Sequence, residues 1–199
     1  MANTNRAFGF IPVGHLDGSP FNGRLTPYLF NASNAVFLGD PVIHGGTAGA
    51  AGTSVNVVNT EGMPTADRAA ASSTNIIGVV VSFSPLQSNL TQLHKAADST
   101  ARIGYVAGGP DVVFEVQADN GTAALAAVDV GENADMITWA AGNTTTGISA
   151  MELDSSTHVT STAQWRILRF VPRPDNAIGD YAKVWVVANE HEFKTTTGT

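Results

Sequence analysis

The chain has 199 residues, no cysteine, 14% charged residues and a formal net charge of −7. The lack of cysteine excludes a disulfide framework and a thiolate metal site, and an acidic chain without a basic stripe is a poor nucleic-acid binder. No run of 18 apolar residues is present to cross a membrane. The 43% hydrophobic content suffices for one domain with a buried core.

Residues 1–34 differ from the rest of the chain, because single apolar residues alternate with prolines and glycines and no period of 2 or 3.6 persists. We predict an extended N-terminal arm here. The arm either packs on its own domain or crosses onto another subunit. If it crosses, deletion of residues 2–24 should leave the body folded. The first residues also lack the apolar core of a signal peptide, so we expect synthesis in a cytosol.

Residues 35–193 are predicted to form a β-rich body. The strongest strand is 76–83, whose continuous apolar run predicts burial on both faces. Alternating apolar residues on both sides of a Gly-Gly-Pro-Asp turn predict a hairpin over 101–117. Further strands are expected in the following ranges: 35–38, 42–44, 55–57, 136–140, 148–153, 165–171 and 181–188.

Helical content is predicted to be small. We expect one helical turn at 66–71, a short helix at 90–97 and one or two turns at 122–128. Nine or ten short strands at irregular spacing are typical of a barrel or sandwich. The polar residues 194–199 predict a frayed C-terminal tail.

No catalytic template fits the chain. It lacks a Gly-x-Ser-x-Gly elbow, a P-loop and a dinucleotide fingerprint. The five histidines do not pair at metal-ligand spacing, and Glu190-His191-Glu192 is interpreted as solvated surface. Arg166 and Arg169 would point to opposite faces of a regular strand. We therefore expect no enzyme activity, cofactor or metal site, although a carboxylate such as Asp111 or Glu115 leaves a hydrolase open as an alternative.

Several segments resemble a family of small structural proteins of tailed bacteriophages. The opening AFGFIPV and HLDGSPFNG, at 7–13 and 15–23, resembles the N-terminus of these proteins. Four later segments extend the resemblance to about residue 190. They are GDPV at 39–42, IIGVVV at 76–81, GPDVVFEVQ at 109–117 and RPDN at 173–176.

The resemblance implies a capsid decoration, or cement, protein that binds the outer surface of the head and bridges subunits of the major capsid protein. It implies an all-β fold, with a single barrel, tulip-like or jelly-roll domain, an N-terminal arm and one or two short helices. Self-association is expected, with a homotrimer favoured and a homodimer as the alternative. The protein would be made in the host bacterial cytoplasm and end on the virion exterior. A minor tail or baseplate component, or a carbohydrate-binding virion protein, is the second hypothesis.

Aromatic and proline side chains of the arm are the predicted contacts, because such residues anchor interfaces by filling pockets on a partner. The candidate contacts to capsid or to a sister subunit are Phe8, Phe10, Pro12, Phe21, Tyr28 and Phe30.

Overall fold

The fold, taken from a computed structural model that describes residues 3–194, is built from twelve strands and three short 3-10 helices. The strands are β1 (Ile11–His15), β2 (Thr26–Phe30), β3 (Pro41–Ala48), β4 (Ser54–Val55), β5 (Val58–Asn59), β6 (Pro64–Arg68), β7 (Ile76–Phe83), β8 (Arg102–Ala107), β9 (Val112–Gln117), β10 (Asn133–Ala134), β11 (Trp165–Phe170) and β12 (Lys183–Ala188). The 3-10 helices span Ala127–Asp129, Ser155–Thr157 and Glu192–Lys194. The all-β prediction is confirmed.

Five strands close into a barrel in the order β2-β6-β3-β7-β8. Strand β7 is buried on both faces, as its continuous apolar run predicts. Ile77 and Val80 belong to the core of the barrel, whereas Ile76 and Val79 belong to the larger core outside it. The barrel therefore shares one wall with the second half of the molecule.

The second half is an antiparallel sheet in the order β1-β9-β12-β11-β10. Its inner face carries the alternating apolar residues of β9, β11 and β12, and Trp165 is fully buried there. The ring of Phe10 stacks on Trp165 at 4.4 Å, and Phe114 meets it edge-on at 5.7 Å. Aromatic pairs at these distances add to the stabilisation from buried area.

A close backbone approach joins β7 to β8. Gly78 has a φ of +146°, and a Cβ at this position would lie 2.1 Å from the carbonyl oxygen of Ala107. Glycine has no Cβ, so it avoids this clash and adopts a positive φ without a steric penalty. The glycine inside the apolar run at 76–81 is thus required by the barrel wall.

The predicted hairpin over 101–117 is wrong, although both of its strands exist. Strand β8 lies in the barrel and β9 in the other sheet, so the Gly108–Pro110 turn carries the chain between the two.

The strand predictions at 136–140 and 148–153 are also wrong, because only isolated bridges such as Met136 to Leu153 occur there. Met136, Met151 and Leu153 from these segments pack in the larger core without extended pairing.

The helix predictions fail for a common reason. The segment 66–71 begins inside β6, the segment 90–97 contains no helix, and 122–128 yields only the 3-10 turn Ala127–Asp129. Short segments without an apolar face at helical spacing have no packing energy to offset the cost of helix nucleation. No helix among residues 3–194 is long and apolar enough to span a membrane.

The segment before the predicted boundary at residue 34 contributes strands to both halves of the fold. Strand β1 pairs with β9 in the five-stranded sheet, and β2 closes the barrel between β6 and β8. At the other end, Lys194 is tied to the fold by a 2.6 Å hydrogen bond from its Nζ to the Ala188 carbonyl. The rest of the predicted tail, 195–199, lies outside the described residues.

Candidate functional site: the surface around the first strand

Three of the predicted contact residues belong to this chain's own core. Phe10, Tyr28 and Phe30 are 1%, 5% and 2% exposed. The ring of Tyr28 meets His44 at 5.5 Å and the ring of Phe30 meets Phe83 at 5.4 Å, both edge-on. Their rings fill pockets within the same chain, so these three side chains offer little surface to a partner.

The other three predicted residues, Phe8, Pro12 and Phe21, are partly exposed. Phe8 and Pro12 line an apolar cavity of about 250 Å³, which we call the apolar groove. Its lining residues are Phe8, Phe10, Ile11, Pro12, Leu38, Gly39, Val80, Val81 and Ile148. Phe21 lines a separate, more polar cavity of about 350 Å³ with His15 and Asp111.

A contact between two glycines positions the groove. Gly9 has a φ of +73°, and a Cβ there would lie 2.7 Å from the Gly39 carbonyl oxygen. The same oxygen accepts a 2.9 Å hydrogen bond from the Phe10 amide. The chain can therefore lie flat against the barrel, with Phe10 directed into the core and Phe8 left at the surface.

The groove keeps large apolar side chains in contact with solvent. Ile11 and Ile148, which line it, are 46% and 43% exposed. Strand β1 is also the last strand of its sheet, so one of its edges pairs with no strand of that sheet. Pro12 removes one amide donor from β1, a common protection of exposed edges. An apolar surface beside a sheet edge is typical of a protein-contact site.

A third cavity lies on the outer face of the five-stranded sheet. It has a volume of about 330 Å³ and is lined by Leu16, Leu168, Arg169 and Trp185, among others. The Arg169 guanidinium carbon lies 5.1 Å from the Trp185 ring centroid. The buried Nε1 of Trp185 has no hydrogen-bond partner among the described residues.

A bulge in β11 corrects the prediction for its two arginines. Arg166 pairs with Val187 and Arg169 pairs with Trp185, with a register shift between them. Val187 and Trp185 are two residues apart on β12 and share a face, so Arg166 and Arg169 do too. Both are exposed. The odd spacing in the sequence is compensated by the one extra residue of the bulge.

The carboxylates considered for hydrolysis are each engaged by a different base. Glu115 forms a 2.9 Å ion pair with Arg173, and Asp111 lies 2.9 Å from Nδ1 of His15. Glu115 and Arg173 also line an open cavity of about 530 Å³ beside Phe8. This charged rim borders the apolar groove, an arrangement common in protein interfaces.

Comparison with known proteins identifies no relative. No family model, no curated protein and no solved structure matches the chain.

Two features of the site region were not predicted from the sequence. His191, expected at the solvated surface, is fully buried, because the Ile76 amide donates to the Glu190 carbonyl at 2.8 Å and holds this segment against β7. Burial, together with the nearby Lys194 charge, lowers the pKa of His191 to about 4. Ile148, predicted to lie in a regular strand, is 43% exposed and lines the apolar groove together with Ile11, and no sequence pattern indicates this placement.

Proposed function

We propose that the chain is a head decoration (cement) protein of a tailed bacteriophage. It binds the outer surface of the capsid and stabilises the shell by bridging major capsid protein subunits. The observation that carries the proposal is the apolar groove beside β1, where Ile11 and Ile148 remain 46% and 43% exposed. The phage-like motif at 7–13 includes Ile11 and thus contributes one wall of the groove.

The physical requirements of such a protein support the assignment. A ligand that binds only the assembled shell stabilises it by mass action, so contact area matters more than catalysis. Burying the exposed parts of Phe8, Ile11 and Ile148 would supply apolar area at the centre of a contact, with Arg173 and Glu115 at its rim. Many copies on one particle raise the overall avidity, so each contact can be modest.

The proposal includes self-association on the capsid exterior, as a homotrimer in preference to a homodimer, and no role for nucleic acid or membrane. The overall charge of −7 helps a dense surface array stay soluble. Light scattering coupled to size exclusion gives the oligomer order directly, and a monomer at micromolar concentration would remove self-association from the proposal.

The decisive experiment measures binding of the full chain to expanded shells of the major capsid protein from the same phage. Ile11→Glu and Ile148→Glu each place a charge in the groove and should lower affinity by about 30-fold or more, since a desolvated hot spot is worth about 2 kcal/mol or more. Ile178→Glu is the matched control, because Ile178 is 55% exposed and does not line the groove.

Two outcomes separate the proposal from its competitors. Unmodified protein that fails to bind shells, or groove variants that bind like the Ile178→Glu control, would contradict the decoration role at this site. Quantitative mass spectrometry of purified virions should find copies in the hundreds. A handful of copies would instead favour a minor tail, baseplate or carbohydrate-binding component.

A further inference from the structure

A cluster of one histidine and two carboxylates lies where two loops meet at the far edge of the five-stranded sheet. Nδ1 of His158 is 2.9 Å from Oε2 of Glu132 and 3.7 Å from Oδ1 of Asp129. One ligand atom from each of the three residues lies within 4.8 Å of the others. The cluster is next to β10, whereas the proposed capsid contact is next to β1, at the opposite end of the strand order.

The backbone holds the three residues in place. Asn133 and Val159, which follow Glu132 and His158, exchange two hydrogen bonds of 2.8 and 2.7 Å. The Glu132 amide donates to the Asp129 carbonyl at 3.0 Å. The three side chains are thus presented from paired backbone, which limits the reorganisation that ligand binding would cost.

Asp129 is the most buried member of the cluster. It is only 4% exposed. Its Oδ2 accepts a 2.7 Å hydrogen bond from the Ala126 amide, and its Oδ1 faces Nδ1 of His158 at 3.7 Å. A carboxylate with so little exposure is costly unless hydrogen bonds or a cation compensate its charge. An ion bound at Oδ1 would add to the compensation that Ala126 and His158 provide.

The distances match those between ligands of one metal ion. Two atoms each about 2.1 Å from a zinc ion lie about 3.0–3.7 Å apart at bond angles of about 90–120°. The two distances from the His158 nitrogen, 2.9 and 3.7 Å, lie close to the two ends of this range. An imidazole nitrogen with two carboxylates favours a borderline ion such as Zn²⁺ over Ca²⁺, which prefers six or more oxygen ligands.

We propose that Asp129, Glu132 and His158 bind one divalent transition-metal ion of the zinc class, through Oδ1, Oε2 and Nδ1. Binding requires that Nδ1 carry no proton, so the proton it shares with Glu132 leaves to solvent or the ring adopts the Nε2–H tautomer. Three protein ligands leave a fourth position for water. The ion ties the loop before β10 to the loop after the Ser155–Thr157 helix, which stabilises this edge of the sheet.

The test uses the full, tag-free chain and ZnCl₂, with isothermal titration calorimetry for affinity and stoichiometry and a thermal melt for stability. One ion per chain should bind and raise the melting temperature. His158→Gln and Glu132→Gln should each weaken binding by about 100-fold, as loss of a metal ligand removes a bond that its surroundings orient. Circular dichroism of each metal-free variant verifies that it is folded.

His15→Gln is the matched control. His15 makes the same 2.9 Å contact through Nδ1, but with the single carboxylate of Asp111, so its loss should leave zinc affinity unchanged. No saturable binding at millimolar zinc, a preference for Ca²⁺ over Zn²⁺, or equal losses in the His15 and His158 variants would each overturn the proposal. These results leave the capsid-binding assay unaffected, so the two proposals fail separately.

Discussion

Replacing Phe10 with alanine tests whether the N-terminal segment is part of the core. The side chain is 1% exposed and its ring stacks on Trp165 at 4.4 Å. Full burial of a phenylalanine contributes about 1.5–3 kcal/mol, and the stacked pair adds about 1 kcal/mol. Because the pocket is lined by paired strands that cannot collapse, a cavity cost adds to this loss, for a total of about 3–5 kcal/mol.

The assay is equilibrium unfolding in urea, followed by tryptophan fluorescence and by far-ultraviolet circular dichroism. Phe10→Ala should also lower the melting temperature by about 10 °C for a chain of this size. Phe193→Ala is the control, because Phe193 is 63% exposed and should cost less than about 1 kcal/mol. A Phe10→Ala variant as stable as the control would refute this reasoning and restore a detachable arm, as would a stable body lacking residues 2–24.

Three further substitutions probe the barrel and the buried titratable groups. Gly78→Ala brings a Cβ to 2.1 Å from the Ala107 oxygen and should lower the free energy of unfolding in urea by more than about 3 kcal/mol. Gly18→Ala is the control: Gly18 has a φ of +87° but lies in open space, so the loss should be only about 1 kcal/mol. Burial raises the pKa of Asp40 from 3.8 to about 6, so folded Asp40 retains a proton that the unfolded chain releases, and stability falls as pH rises from about 4 to 6. Asp40→Asn removes this loss and should gain about 3 kcal/mol relative to the unmodified protein between pH 4 and 7. The depressed pKa of His191, about 4 against 6.5, has the opposite sign: stability falls as pH drops from about 6.5 to 4, and His191→Gln should abolish that fall in pH-dependent melts.

The strand positions could be predicted where apolar residues form continuous or alternating runs. Strands β7, β9, β11 and β12 all follow such runs, because burial on one or both faces dictates the pattern. The partners of the strands could not be predicted in this way. The turn at 108–110 has the composition of a hairpin, yet it connects the barrel to the other sheet, since pairing depends on contacts far apart in sequence.

The candidate site was predicted only in part, for related reasons. The aromatic residues of the N-terminal segment are predicted as contacts to a partner, whereas Phe10, Tyr28 and Phe30 pack in this chain's own core. A phenylalanine between glycine and proline looks the same in sequence whether its pocket lies in the same chain or in another. The shared face of Arg166 and Arg169 depends on a bulge, and bulges leave little trace in a short apolar strand.

The placement of β1 and β2 has a consequence for how the chain folds. Strand β2 cannot close the barrel until β8, about residues 102–107, has been synthesised, and β1 needs β9 at 112–117 before it can pair. The sheet is completed only by β12, at 183–188. Before β8 is present, β2 has only its parallel pairing of Leu29 with Thr65 of β6, and β1 has no strand partner before β9. Such a topology of long sequence separations predicts slow folding, on the millisecond-to-second scale.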